Sequence, residues 1–203
     1  QFKLDGHQQF AYSQAWYDTR TIMIVRVDTD EGISGWGEAF GPAFVHKSII
    51  DHVYAPKIIG MDPFDSAVIW EKLYNSLEDH GRKGAVVEAI SAIDIALWDI
   101  KGKALNKPVY QLLGGAHRDY VVPYATGLYH RISDDEVGEI VDEARGYVNQ
   151  GFRGVKLKIG FDLETDEKKI YAVRKAVGDD VALMTDANHA YNAMTATKIG
   201  RVM

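Results

Sequence analysis

Apolar and polar residues alternate through Gly154-Val155-Lys156-Leu157-Lys158-Ile159-Gly160. In an extended strand successive side chains leave on opposite faces, so Val155, Leu157 and Ile159 share one face and Lys156 and Lys158 share the other. Two ammonium groups side by side call for an anion opposite them. A second apolar run, residues 181–185, leads into Asp186 and Asn188, an acid and an amide two positions apart with metal-ligand chemistry. Two lysines facing a carboxylate form the working site. Around it, strands are predicted at 121–125, 152–159 and 181–186. Helices are predicted at 133–149, opened by a Ser133/Glu136 capping box, at 163–177, and from Ala193 onward. Apolar strands alternating with helices indicate a parallel sheet, doubly wound or closed into a barrel. In a barrel, Lys158, Asp186 and Asn188 would stand at the carboxyl-end mouth.

The first half has a different pattern. Residues 21–27 and 33–40 read as a hairpin joined by a turn at 28–32, and the first forty residues read as a small antiparallel sheet. Residues 6–17 are rich in aromatics and amides without periodicity, as suits a lid over a polar ligand or a surface loop pinned by its own rings. Pro42 opens a helix to about residue 59, and Asp62-Pro63 opens another to about 78. Val86, Ile90, Ile93, Leu97 and Ile100 recur at helical spacing and must face a core. Glu88, Asp94 and Asp99 on that helix are expected to be solvated or paired. A short turn at 109–113 ends at Gly114-Gly115, placing a boundary between an α+β domain, residues 1–115, and a β/α domain, residues 116–203.

Composition narrows the partners. The chain has 203 residues, 46% hydrophobic and 26% charged, with formal charge −6 and no basic block, so neither nucleic acid nor an anionic membrane surface is expected. There is no cysteine, hence no thiolate chemistry, and a reducing cytoplasmic setting is the default. No run reaches transmembrane length. No Gly-x-Gly-x-x-Gly or Walker-type loop follows the first β/α strand, which weighs against dinucleotide chemistry and leaves a small molecule as the expected partner.

Residues 89–103, with Pro108-Val109 and Leu112-Leu113-Gly114, resemble the signature of the mandelate racemase and muconate lactonizing group of the enolase superfamily. Lys156-x-Lys158 resembles that group's second-strand base motif, and Asp186-x-Asn188 its third-strand metal motif. The resemblance implies an α+β capping domain followed by the first part of a TIM-type β/α barrel. It implies Lys158 as the base that removes the proton α to a substrate carboxylate, and Lys156 as its electrostatic neighbour on that carboxylate. Asp186 is then the first of three carboxylate ligands to Mg2+, and Asn188 a substrate or second-layer contact. The chemistry is coherent. An enediolate formed beside a carboxylate requires nearby cations, and an amine serves as base near neutral pH when neighbouring positive charge depresses its pKa.

A complete barrel of this type takes about 250 residues. The two further acidic ligands and any opposing base are expected beyond Met203, so the chain reads as part of a longer enzyme, inactive and poorly folded alone. Local similarity at Gly127-Leu128-Tyr129, Asn188-His189-Ala190-Tyr191 and Arg82-Lys83 points to enzymes of sugar acids and their lactones. Gln8, Gln9, Tyr12 and Tyr17 of the lid suit a polyhydroxylated substrate. His46 is a candidate substrate contact or a satisfied surface histidine, and His189 is expected to pack away from Asn188. A cycloisomerase or dehydratase, a racemase or epimerase, and a non-catalytic binding or scaffold chain remain the alternatives, with a homo-oligomer expected.

Overall fold

The computed structural model describes residues 2–6 and 9–203, so Gln8 of the expected lid lies outside the described residues. Tertiary contacts divide the chain into two compact units. One is Thr21–Asp119; the other joins Phe2–Arg20 to Tyr120–Met203. The division lies at Asp119 where the sequence-based boundary follows Gly115, and Phe2–Arg20 belong to the second unit rather than to the α+β domain that the sequence assigns them to.

Those residues hold two short antiparallel pairs. β1 (Phe2–Lys3) pairs with β4 (Thr19–Arg20), and β2 (Phe10–Tyr12) forms a hairpin with β3 (Ala15–Tyr17). The segment expected to be a loop is therefore a hairpin. Strands of three residues are too short for alternation to register, and aromatic packing supports them instead. Phe10 stacks on Tyr17 at 5.4 Å and meets Tyr129 at 4.6 Å, while the Ala11 N–H donates to the His130 carbonyl at 2.8 Å.

In the first unit, β5 (Met23–Asp28) and β6 (Ser34–Ala39) form the expected hairpin, but as a separate two-stranded sheet that β1 does not join. α1 (Ala43–Ile49), a wide π-helical turn (Ile50–Tyr54) and α2 (Ala55–Ile58) make up the helix opened at Pro42. α3 (Ser66–Asn75) starts three residues later than Asp62-Pro63 indicates. Asp62 turns the chain by accepting the Phe64 N–H at 2.8 Å rather than capping the helix. α4 (Ala85–Ala104) buries Ile90, Ile93, Leu97 and Ile100 on the expected stripe, and α5 (Val109–Leu112) follows. Each such side chain contributes about 1.5–3 kcal/mol of transfer free energy. The acids of α4 are structural where they pair. Glu88 meets His46, and Asp99 accepts from Lys103 Nζ at 2.7 Å and from the Trp36 N–H at 2.9 Å.

The rest of the second unit is β7 (Ala125–Thr126), α6 (Glu136–Asn149), β8 (Gly154–Lys158), α7 (Leu163–Val177), β9 (Ala182–Asp186) and α8 (Ala193–Gly200). The three strands are parallel in the order β7-β8-β9. β7 is shorter than the apolar run 121–125 suggests, because Val121, Val122 and Tyr124 are exposed and Pro123 has no N–H for a ladder. Asp135, not Ser133, caps α6, accepting from the Gly138 N–H at 3.0 Å; the Ser133 hydroxyl donates to Glu139 instead. α7 matches its predicted span. Asp162 caps it through the Thr165 N–H, and Gly178 ends it at φ 78°. Val155, Leu157 and Ile159 are buried with Leu128, Ile140, Ile170 and Val173 in one core, which leaves the opposite face of β8 to its lysines. Among the described residues no helix is long and apolar enough to cross a membrane.

Candidate active site

The parallel register places Lys158 beside Asp186 and Lys156 beside Met184. Both lysines reach one oxygen: Asp186 Oδ2 is 2.7 Å from Lys158 Nζ and 3.5 Å from Lys156 Nζ. Lys158 Nζ also donates to Asn188 Oδ1 at 2.8 Å. The lysine side chain is 7% exposed and the Asp186 side chain 29%, so the Lys158 ammonium is withdrawn from solvent while the carboxylate keeps an open side. Four residues singled out by alternation thus converge, although Asn188 does so by another route. β9 ends at Asp186, whose Oδ1 accepts the Asn188 N–H at 3.0 Å in a side-chain-closed turn. Asn188 and His189 then take left-handed φ of 45° and 71°, folding the amide back onto Lys158. The strand does not persist, and His189 is exposed rather than packed.

Burial alone would raise the Asp186 carboxyl. The Lys158 hydrogen bond, the Asn188 N–H and the two lysine charges outweigh it and hold the group below its ordinary range. A carboxyl depressed in the folded state adds stability above its ordinary pKa, and that stability is lost as pH falls through the lowered value. The urea midpoint is therefore expected to drop with acid below about pH 4, and to drop less steeply in Lys158→Ala. Equal slopes for the two proteins would mean that the ion pair contributes nothing to the acid response.

The β2–β3 hairpin supplies one wall. Lys158 Nζ lies 5.8 Å from the centre of the Tyr12 ring and 5.5 Å from that of Tyr129, within cation–π range, and Lys156 Nζ lies 5.8 Å from the Tyr124 ring. Tyr17 stands one layer back, donating its hydroxyl to Tyr12 at 3.1 Å; that hydrogen bond first, then burial, push the Tyr17 hydroxyl above the ordinary phenol range. Ser13 at the hairpin tip donates to the Ala187 carbonyl at 2.6 Å. Tyr124 and Ser13 carry no sequence signal for this role, since only the fold brings them to β8 and β9.

His46 belongs to the first unit and is fully buried, with Nε2 2.8 Å from Glu88 Oε2, so it is not a surface histidine. As for a metal, Asp186 offers one hard oxygen ligand with an open side, but among the described residues no group of three His, Cys, Asp or Glu side chains is gathered to hold an ion. The described residues fit one corner of a magnesium site and do not make one alone.

A family model for the mandelate racemase / muconate lactonizing enzyme N-terminal domain matches residues 7–114, and one described as enolase C-terminal domain-like matches residues 139–203. The chain belongs to the mandelate racemase / muconate lactonizing enzyme family of the enolase superfamily, with its α+β N-terminal domain and part of its C-terminal barrel. It is 42% identical over 184 residues to D-galactarolactone cycloisomerase of Agrobacterium fabrum, covering 91% of this chain and 48% of that protein. The crystal structure of 3,6-anhydro-D-galactonate cycloisomerase from Zobellia galactanivorans matches with TM-score 0.86 at 45% identity, covering 96% of this chain and 53% of that one. A racemase from Streptomyces coelicolor with bound magnesium matches with TM-score 0.80 at 32% identity, covering 88% and 50%. Other relatives are sugar-acid dehydratases and an N-succinyl-L-Arg/Lys racemase. The chain spans about half the length of the curated relatives it matches.

Proposed function

We propose that this chain carries the base and one metal-ligand corner of an active site that removes the proton α to a carboxylate, on a sugar acid or its lactone. The observation that carries this reading is the convergence of Lys156 and Lys158 on a single oxygen of Asp186, at 3.5 and 2.7 Å. Lys158 is the base and Lys156 binds the substrate carboxylate. Asn188 orients Lys158 or a substrate hydroxyl. The cofactor is Mg2+, with Asp186 as one ligand; when bound it supplies positive charge where the enediolate becomes negative.

In this reaction the α C–H bond breaks, its proton passes to the lone pair of Lys158 Nζ, which must enter the step as the neutral amine, and its electron pair enters the enediolate. The pair then forms a double bond to the β carbon and expels an oxygen leaving group. That group leaves as water after protonation in a dehydration, or as the ring carboxylate in a lactone cycloisomerisation. The hydroxyls of Tyr12 and Tyr17 and the Asn188 amide suit a substrate rich in hydroxyl groups, and the names of the sugar-acid relatives support that class. The partner is accordingly a small carboxylate, and the working assembly is a homo-oligomer.

The test is incubation of the complete protein with magnesium and a panel of sugar acids and lactones in heavy water. Ring isomerisation or loss of water is expected, with α-deuterium in the recovered substrate and deuterium at the β carbon of the keto product, where the enol is reprotonated. Exchange with inversion and no elimination would replace this reading by a racemase, for which the related N-succinyl-L-Arg/Lys racemase is the precedent. A folded protein that exchanges no substrate would leave a non-catalytic binding chain.

A further inference from the structure

Asp166 lies in the first turn of α7 and is fully buried. A buried carboxylate is costly to maintain unless donors surround it. Its own helix does not need it, because Asp162 already caps α7 through the Thr165 N–H and Glu164 already places negative charge in the first turn. The Asp166 carboxylate instead turns outward to two loops. Oδ2 accepts the Gly160 N–H at 2.8 Å and the Phe161 N–H at 3.2 Å, both just after β8, and the Tyr191 hydroxyl at 2.5 Å, in the loop after β9. Oδ1 is buried without a partner among the described residues, so all three donors load one oxygen.

These two loops carry the site. Gly160 follows Lys158 by two residues, and Tyr191 follows Asn188 by three. They meet without slack at Gly160, which has φ 102°. A Cβ there would stand 2.8 Å from the Ala187 carbonyl oxygen and from Ala190 Cβ, and 2.9 Å from Ser13 Cβ of the hairpin tip. Burial first, then the hydrogen bond to Asp166 and its charge, raise the Tyr191 hydroxyl above the ordinary phenol range, so it remains a donor at every pH at which the protein would work.

We propose that Asp166 is a positioning residue of the active site: it ties the turn after β8 to the loop after β9 and so sets the distance between Lys158 and the Asp186–Asn188 pair. Its effect on catalysis rests on the function proposed above; the clamp itself does not. The test uses the complete protein, 15N-labelled, with Tyr191→Phe, Asp166→Asn, Asp166→Ala and the double variant Asp166→Ala/Tyr191→Phe.

Tyr191→Phe removes one hydroxyl and is expected to fold. Its Asn188 amide resonance should move although Asn188 does not touch Tyr191 or Asp166 by hydrogen bond. Its kcat for α-proton exchange should fall about tenfold or more with KM within about twofold, as a misplaced base predicts. Asp166→Asn keeps an acceptor oxygen and should lose less than Asp166→Ala. The double variant should lose no more than Asp166→Ala, because both changes open one clamp. An unmoved Asn188 resonance with unchanged kcat in Tyr191→Phe, whatever happens to melting temperature, would overturn the proposal. Should the parent protein exchange no carboxylate, the proposed function fails, and the Asn188 resonance still decides the clamp. Should Asp166→Ala not fold, Tyr191→Phe and Asp166→Asn decide it between them.

Discussion

Replacing Lys158 by alanine is expected to lower α-proton exchange in the complete protein by a factor of about 10² to 10⁴, the usual contribution of a positioned general base. The geometry makes this lysine hard to substitute for. Its amine is the group held against both Asp186 and Asn188, and the Tyr12 and Tyr129 rings flank it. Lys156 shares the face but sits a full two-residue repeat earlier on β8, 3.5 Å from the carboxylate oxygen and more exposed, so it cannot present its nitrogen at the same point. Lys158→Arg separates charge from basicity. A guanidinium still neutralises Asp186 but stays protonated in proteins, so Arg should be nearly as inactive as Ala while retaining more stability. Exchange is read by proton NMR in heavy water. A Lys158→Ala protein exchanging at the parent rate would end the assignment of Lys158 as base, and an active Lys158→Arg would reduce its role to charge.

How far the sequence leads depends on the range of the interaction in question. The lysine face of β8 is legible because alternation is local: once Val155 and Leu157 are committed to the core, Lys156 and Lys158 have one place to go. The span of α7 is legible for the same reason, being bounded by a capping aspartate and a glycine with positive φ. Asp186 and Asn188 do belong together, but by a different cause, since a turn closed by the Asp186 side chain and two left-handed residues do what strand alternation is expected to do. The hairpin at residues 10–17 is illegible because its register comes from Tyr129 and His130, more than a hundred positions away. His46 illustrates the limit for single residues. A histidine just inside a helix looks the same in sequence whether it faces a ligand, water or Glu88.

The largest stability effect is expected at a residue with no side chain. On β6 the alternation that exposes Trp36 turns Gly35 and Gly37 inward, and this looks like two missing core residues until α4 is placed. A Cβ on Gly37 would stand 1.9 Å from the Ala92 carbonyl oxygen and 3.0 Å from its carbon and from the Ala96 nitrogen. These are backbone atoms of a helix whose other contacts hold Ile90, Ile93, Leu97 and Ile100 in the core, so no rotamer change can relieve the overlap. The hairpin and α4 must separate instead. Overpacking a core commonly costs about 1–3 kcal/mol and sometimes more, and a backbone-to-backbone contact places Gly37→Ala at about 3 kcal/mol or above. Gly146→Ala is the matched control. It lies inside α6 with nothing beyond its chain neighbours and the helix's own backbone within 4 Å of the added methyl, so the helix preference for alanine should raise stability by about 0.5–1 kcal/mol. Calorimetric melting of the two variants beside the parent should therefore move in opposite directions. A Gly37→Ala protein that melts with the parent would mean that β6 does not rest on the backbone of α4, and the glycines at alternate positions of this strand would then have no packing reason.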